Sequence, residues 1–167
     1  MAYTKGHISA NWNDSYKSFP YIKQSIKDSE IQEWRSQGYT HDSFSGVMYS
    51  QSNKENQMPD WVYDIADTLE LKNVGFVFYK MCTLEIMPVH ADHFETYCRV
   101  FNVHSSEVRR AIVFLEDWKS GHYFEIDNIG VVNWSAGDYY AWQGDIPHAA
   151  SNIGISPRYT LQITGTK

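Results

Sequence analysis

The chain has 167 residues, a length that points to one domain with a core of its own. Its net charge is -6, from 14 Lys and Arg against 20 Asp and Glu, which argues against non-specific binding to nucleic acid, where clustered cations are needed. The two cysteines, Cys82 and Cys98, form no CxxC pair and are too few for a disulfide framework, as in a reducing compartment.

The longest aliphatic run, Ala111–Leu115, falls far short of the ~20 residues needed to span a bilayer. Residues 1–13 are polar and aromatic and do not form a charged-then-apolar leader. A soluble, cytoplasmic protein without membrane contact is expected. Residues 1 to about 25 show no strong period and read as an irregular arm with room for a short strand. Asp28 or Ser29 can cap a helix running to Gln37, with Ile31 and Trp34 three apart and Gly38 as the stop. Residues 40–58 are rich in Ser and Asn and read as a loop. From Pro59 to Leu69, the positions Trp61, Ile65 and Leu69, with Val62 and Ala66 beside them, predict an amphipathic helix with an acidic outer face.

The texture changes at Asn73. Short β-rich segments follow, each bounded by Gly, Pro, Asn or Asp: 75–87, 89–93, 108–117, 122–126, 130–134, 138–142, 148–152 and 158–164. Eight short strands with turn signals between them predict a sandwich or jelly roll. The expected organisation is a single domain over 1–167, mainly β, with an irregular and helical flank over 1–72 packed on a core over 73–167.

Chemistry concentrates in three places: Pro88-Val89-His90-Ala91-Asp92, Ile146-Pro147-His148 and Arg158-Tyr159-Thr160. On a strand, His90 and Asp92 would point the same way and His93 the opposite way. A chance His-x-Asp is common among 7 histidines, so the pair alone means little. Adding His148, Arg158 and Thr160 makes it specific. Two imidazoles and one carboxylate on one face of an octahedral metal suit non-haem Fe(II) and leave positions open for chemistry. Arg158 offers a planar fork for a carboxylate, and Thr160 lies on the same face of its strand. His7, His41, His104 and His122 read as exposed or hydrogen-bonded structural histidines, although His122 follows a Gly turn into a strand and could line the pocket mouth.

This constellation resembles the Fe(II)- and 2-oxoglutarate-dependent oxygenases over about residues 75–165. The likeness is greatest to short members found in phages and bacteria, down to Phe114-Leu115-Glu116-Asp117-Trp118 and Arg158-Tyr159-Thr160-Leu161-Gln162-Ile163-Thr164-Gly165. It implies a double-stranded β-helix (jelly roll, cupin-like) and Fe(II), 2-oxoglutarate and O₂ as metal and co-substrates, with succinate and CO₂ as products. The site it implies has His90, Asp92 and His148 as metal ligands. Arg158 and Thr160 would hold the distal carboxylate of 2-oxoglutarate, with the Tyr97 phenol as a further donor and Arg99, Arg109 and Arg110 as substitutes for Arg158. Trp142, Tyr140 and His122 are candidate pocket walls. Family members that halogenate have a small residue at the Asp92 position, so its carboxylate implies hydroxylation. The primary substrate, a peptide or protein side chain or a small molecule, has no readable code; segments 94–107 and 40–58 are the expected substrate-facing elements. If the chain is phage-encoded, its setting is the host cytoplasm. A cupin-type isomerase or binding module that ignores 2-oxoglutarate is the alternative, drawing on Glu95 and Asn152 beside the same ligands.

Overall fold

The computed structural model describes residues 2–40, 44 and 46–167. His41 lies outside them. The arm opens with β1 (Tyr3–His7), a 3-10 turn (Asp14–Ser18) that seats Tyr16 in the core, and β2 (Ile22–Lys23). Helix α1 (Asp28–Ser36), strand β3 (Val47–Ser50) and helix α2 (Trp61–Thr68) follow. Next come β4 (Lys72–Met81), β5 (Glu85–His90), α3 (Glu95–Phe101), β6 (Arg109–Phe114), β7 (His122–Ile126) and β8 (Ile129–Val131). The chain closes with β9 (Asp138–Gln143), β10 (His148–Asn152) and β11 (Arg158–Thr166).

The strands form two antiparallel sheets, β1-β9-β6-β11-β4-β3-β2 and β5-β10-β7-β8. This is the expected mainly β, double-stranded β-helix architecture. The arm and residues 47–50 belong to the larger sheet: β1 pairs along β9 at one edge, while β2 and β3 extend β4 at the other.

Alternation explains how the larger sheet is covered. Ala111 and Val113 of β6, Phe76 and Phe78 of β4, and Leu161 and Ile163 of β11 pack on one face with Val62, Ile65 and Ala66 of α2 and with Tyr16. Ile112 and Phe114 of β6 point the other way, into a second core with Phe124, Ile126 and Trp134 between the sheets. From Ala111 to Phe114, β6 is thus buried on both faces, and that part of the strand reads as a continuous apolar run.

Several expectations are corrected. The 75–87 segment is not one strand: the chain turns after Met81, where Leu84 takes a positive φ of 68°, its amide donates to Asn152 O, and the Cys82 amide donates to the Glu85 carboxylate. The strand expected over 89–93 ends at His90, so Asp92 lies in an irregular stretch before α3. β8 stops short of Trp134, since Asn133 adopts a φ of 59°. α3 was unexpected because none of its residues is buried, so no apolar period marks it.

One buried amide ties the strand ends together. Asn152 Nδ2 donates to Met81 O and Ser156 O, and its Oδ1 accepts from Gly154 N. Beside it, a Cβ on Gly121 would lie 2.2 Å from Gly154 N, so the two turns meet only because that position is bare. Asn152→Ala is expected to lower the unfolding free energy by about 2–4 kcal/mol, because the buried Met81 O and Gly154 N lose the amide as a partner and Ser156 O keeps only His122. Urea unfolding of the variant beside wild type checks this.

Candidate metal centre

His90 ends β5 and His148 begins β10, and the two are direct cross-strand partners. Their ring centroids lie 4.3 Å apart. Each imidazole is turned by a carbonyl two residues earlier: Nδ1 of His90 lies 2.9 Å from Pro88 O, and Nδ1 of His148 lies 3.0 Å from Ile146 O. A carbonyl only accepts, so each Nδ1 donates and each Nε2 keeps its lone pair, which is how metal-binding histidines are commonly oriented.

Asp92 closes the group. Its Oδ1 lies 3.9 Å from His90 Nε2 and its Oδ2 3.8 Å from His148 Nε2. One ligand atom from each of the three residues lies within 4.8 Å of the others. This donor set could hold a divalent metal on one face and leave the cavity side open.

Electrostatics suit the same purpose. Burial, reinforced by His90, lowers the His148 pKa to about 4, against the pull of Asp92, so the ring is neutral at neutral pH. Burial works to raise the Asp92 pKa, but Arg110, His148 and His90 outweigh it and hold the carboxyl below its ordinary value. Aromatic rings brace the imidazoles: Trp142 lies 4.9 Å from His148, and Trp34 meets His90 edge-on at 6.5 Å.

The group opens onto a cavity of about 980 Å³ whose lining includes His90, Asp92, His148, Tyr79, Arg158 and Thr160. Arg158 is 6% exposed, and no carboxylate forms an ion pair with it among the described residues. Its guanidinium sits 5.6–5.9 Å from the rings of Phe114, Phe124 and Trp134. Nη1 approaches the Met81 sulfur at 3.9 Å, and among the described residues Nε has no hydrogen-bond partner. Burial lowers the Arg158 pKa to about 10, which still leaves it charged at neutral pH. Thr160 is buried on the same face, between Tyr79 of β4 and Phe114 of β6.

The other sequence candidates fall elsewhere. Tyr97 borders the cavity from α3, but its hydroxyl donates to Asn73 O at 2.7 Å, so that proton is already spent. Tyr140, Trp142 and His122 do not line the cavity. Tyr140 packs on Tyr3, Phe114 and Phe124, and Trp142 stands behind His148. His122 points its Nε2 at Ser156 O, 2.9 Å away, and stacks on Trp134. Both expected substrate-facing segments reach the cavity, through Phe94, Tyr97 and Phe101 on one side and Ser50, Gln51 and Lys54 on another.

Two lining residues have surroundings that the sequence did not indicate. Tyr79 carries no motif, and burial pushes its pKa up to about 12. Arg110 was read as a substitute for Arg158, yet its Nε lies 3.0 Å from Asp92 Oδ2.

No protein-family model and no curated protein match the sequence. Among solved structures, a Pseudomonas putida prolyl-4-hydroxylase aligns with a TM-score of 0.61 at 13% identity, over 99% of this chain and 93% of that one. The cupin domain of an XRE-family transcriptional regulator from Enterobacter cloacae gives 0.45 at 13% identity, over 74% and 98%. A predicted oxalate decarboxylase from Thermotoga maritima gives 0.43 at 12% identity, over 72% and 80%. The first likeness bears on the fold and extends over nearly the whole chain.

Burial lowers the His122 pKa below 6.5, only partly offset by the Ser156 carbonyl. Below that pH the unfolded state takes up a proton that the folded state resists, so His122 costs stability progressively as pH falls. His122→Gln is expected to flatten the fall of unfolding free energy between about pH 7 and pH 5. Denaturant titrations of both proteins across that range check the sign.

Proposed function

We propose that the chain is an Fe(II)- and 2-oxoglutarate-dependent oxygenase that hydroxylates a C–H bond of its primary substrate. The observation that carries this reading is Arg158, a buried guanidinium without an acid, on the wall of the cavity that holds His90, Asp92 and His148. A buried charge without a partner is costly, and a small dicarboxylate would supply one. When bound, the metal and 2-oxoglutarate supply oxidative chemistry, consuming O₂ and releasing succinate and CO₂ as one oxygen atom passes to the substrate.

The chain's own residues have the following parts. His90 and His148 present Nε2, and Asp92 presents a carboxylate. Arg158 grips the distal carboxylate of 2-oxoglutarate, with the Thr160 hydroxyl beside it. Phe114, Phe124 and Trp134 hold the guanidinium face by cation–π contact without neutralising it. They also keep water from that end of the cavity. Tyr79, protonated at neutral pH, is a donor on the same wall. Residues 73–167 form the catalytic core in this reading, and the preceding residues its flank. A reducing cytoplasm suits it, because the metal must stay Fe(II).

The cupin-type alternative rests on the same three ligands but needs a site that ignores 2-oxoglutarate. Of the two side chains it would add, Asn152 is engaged with Met81, Ser156 and Gly154, while Glu95 borders the cavity in an exposed pair with Lys27 at 3.3 Å.

Anaerobic titration with Fe(II) and then 2-oxoglutarate separates the two. Wild type is expected to develop the weak visible charge-transfer band of the chelate. Arg158→Ala should keep Fe(II) and lose 2-oxoglutarate affinity by about 30-fold or more, the usual scale for truncating a buried charged partner. Iron binding with no band in wild type would hand the site to the cupin-type reading. His148→Ala and Asp92→Ala should lose the metal while circular dichroism keeps the β signal. Wild-type iron affinity in either variant would sink the ligand assignment.

A further inference from the structure

Asp92 differs from its two companions. His90 and His148 end and begin paired strands, and each ring is turned by a backbone carbonyl. Asp92 stands two residues past the end of β5, in the irregular stretch before Phe94 turns the chain with a φ of 53°. The pleat therefore does not aim its carboxylate. A side chain does: Arg110 Nε lies 3.0 Å from Asp92 Oδ2. Both atoms are buried, and the contact between them is a close ion pair without hydrogen-bond alignment: neither atom has a hydrogen-bond partner among the described residues.

Arg110 is itself held by groups outside the ligand set. It lies on β6 opposite Thr164 of β11, and Gln162 is its diagonal neighbour on the same face. Arg110 Nη1 donates to Gln162 Oε1 at 2.9 Å. The guanidinium lies 5.2 Å from the Phe94 ring, next to the turn that carries Asp92. A chain of contacts thus runs from β11 through Gln162 and Arg110 to one oxygen of the carboxylate.

We propose that Arg110 is the positioning residue of the metal centre: it claims Asp92 Oδ2, leaves Oδ1 as the single donor atom to the metal, and is held in place by Gln162. The inference rests on the metal-binding reading of the site. It makes the larger sheet, through β6 and β11, the element that aims a ligand carried by a loop beyond the smaller sheet.

The sign of the effect separates positioning from bulk electrostatics. Removing a positive charge beside a divalent cation raises its affinity by Coulomb's law. Losing the group that orients a ligand lowers it, typically by about 10–100-fold. The test uses Co(II), whose ligand-field bands report its coordination. Calorimetry and visible spectra of the full chain are recorded for wild type, Arg110→Gln, Arg110→Lys and Gln162→Met.

Arg110→Gln is expected to lose about 10–100-fold in Co(II) affinity with altered ligand-field bands. Arg110→Lys, which keeps the charge but not the Nε geometry, should not restore wild-type affinity. Gln162→Met changes no charge and should weaken Co(II) severalfold. It carries the test alone if the Arg110 variants do not fold, as judged by thermal melts of the metal-free proteins. Unchanged or higher affinity with wild-type bands in the variants, while wild type binds Co(II), overturns the role of Arg110 and leaves the metal site standing. Failure of wild type to bind Co(II) or Fe(II) overturns both.

Discussion

The last strand carries opposite chemistries on its two faces, and the rest of the molecule is arranged around that. Tyr159, Leu161 and Ile163 of β11 are buried under α2 and the N-terminal arm, while Arg158, Thr160, Gln162 and Thr164 face the cavity. The strand's two neighbours, β6 and β4, then have to present apolar groups on one side and Arg110 and Tyr79 on the other. The polar face is deep enough to bury a guanidinium. Three aromatic rings stand where a carboxylate would normally be, so Arg158 is fixed in position and left charged.

The ligand cluster depends on the meeting of two strand ends. His90 and His148 face each other across one rung of the smaller sheet, and the register shifts just beyond, between His148 and Ala150. Backbone carbonyls set the orientation of both rings, and Trp34 and Trp142 limit their movement. Trp34 comes from α1, so the helical flank braces the site as well as covering the sheet. Low local polarity keeps His148 neutral, the state in which an imidazole can bind a metal.

The cavity extends beyond what a metal and a small dicarboxylate require. Beyond Tyr79 and Gln162 it runs over the inner face of β4 toward Ser50 and Gly75, with α3 on one side. Lys27 of the loop before α1 meets Glu95 of α3 across that region at 3.3 Å. Both side chains are well exposed, and such pairs contribute little to stability, so this contact does not by itself hold the two segments together. Among the described residues no helix is long and apolar enough to cross a membrane.

β-rich composition and turn residues at close intervals made most of the sheet legible. β7 and β10 fall on their expected residues, and β6, β9 and β11 lie within a few residues of theirs. The residues His90, Asp92, His148, Arg158 and Thr160 were legible as one constellation because their types and order are unusual together. The sequence did not reveal that Asp92 leaves the strand, that α3 exists, or that Tyr97 spends its proton on Asn73 O. Nor did it reveal that Arg110, one of three nearby arginines, faces Asp92 while Tyr140, Trp142 and His122 turn away from the cavity. The division has a physical cause. Alternation and ligand type are local properties, written into neighbouring residues. Which arginine meets which carboxylate depends on register between strands distant in sequence, and on where a loop lets go of its strand, and only the folded sheets decide those.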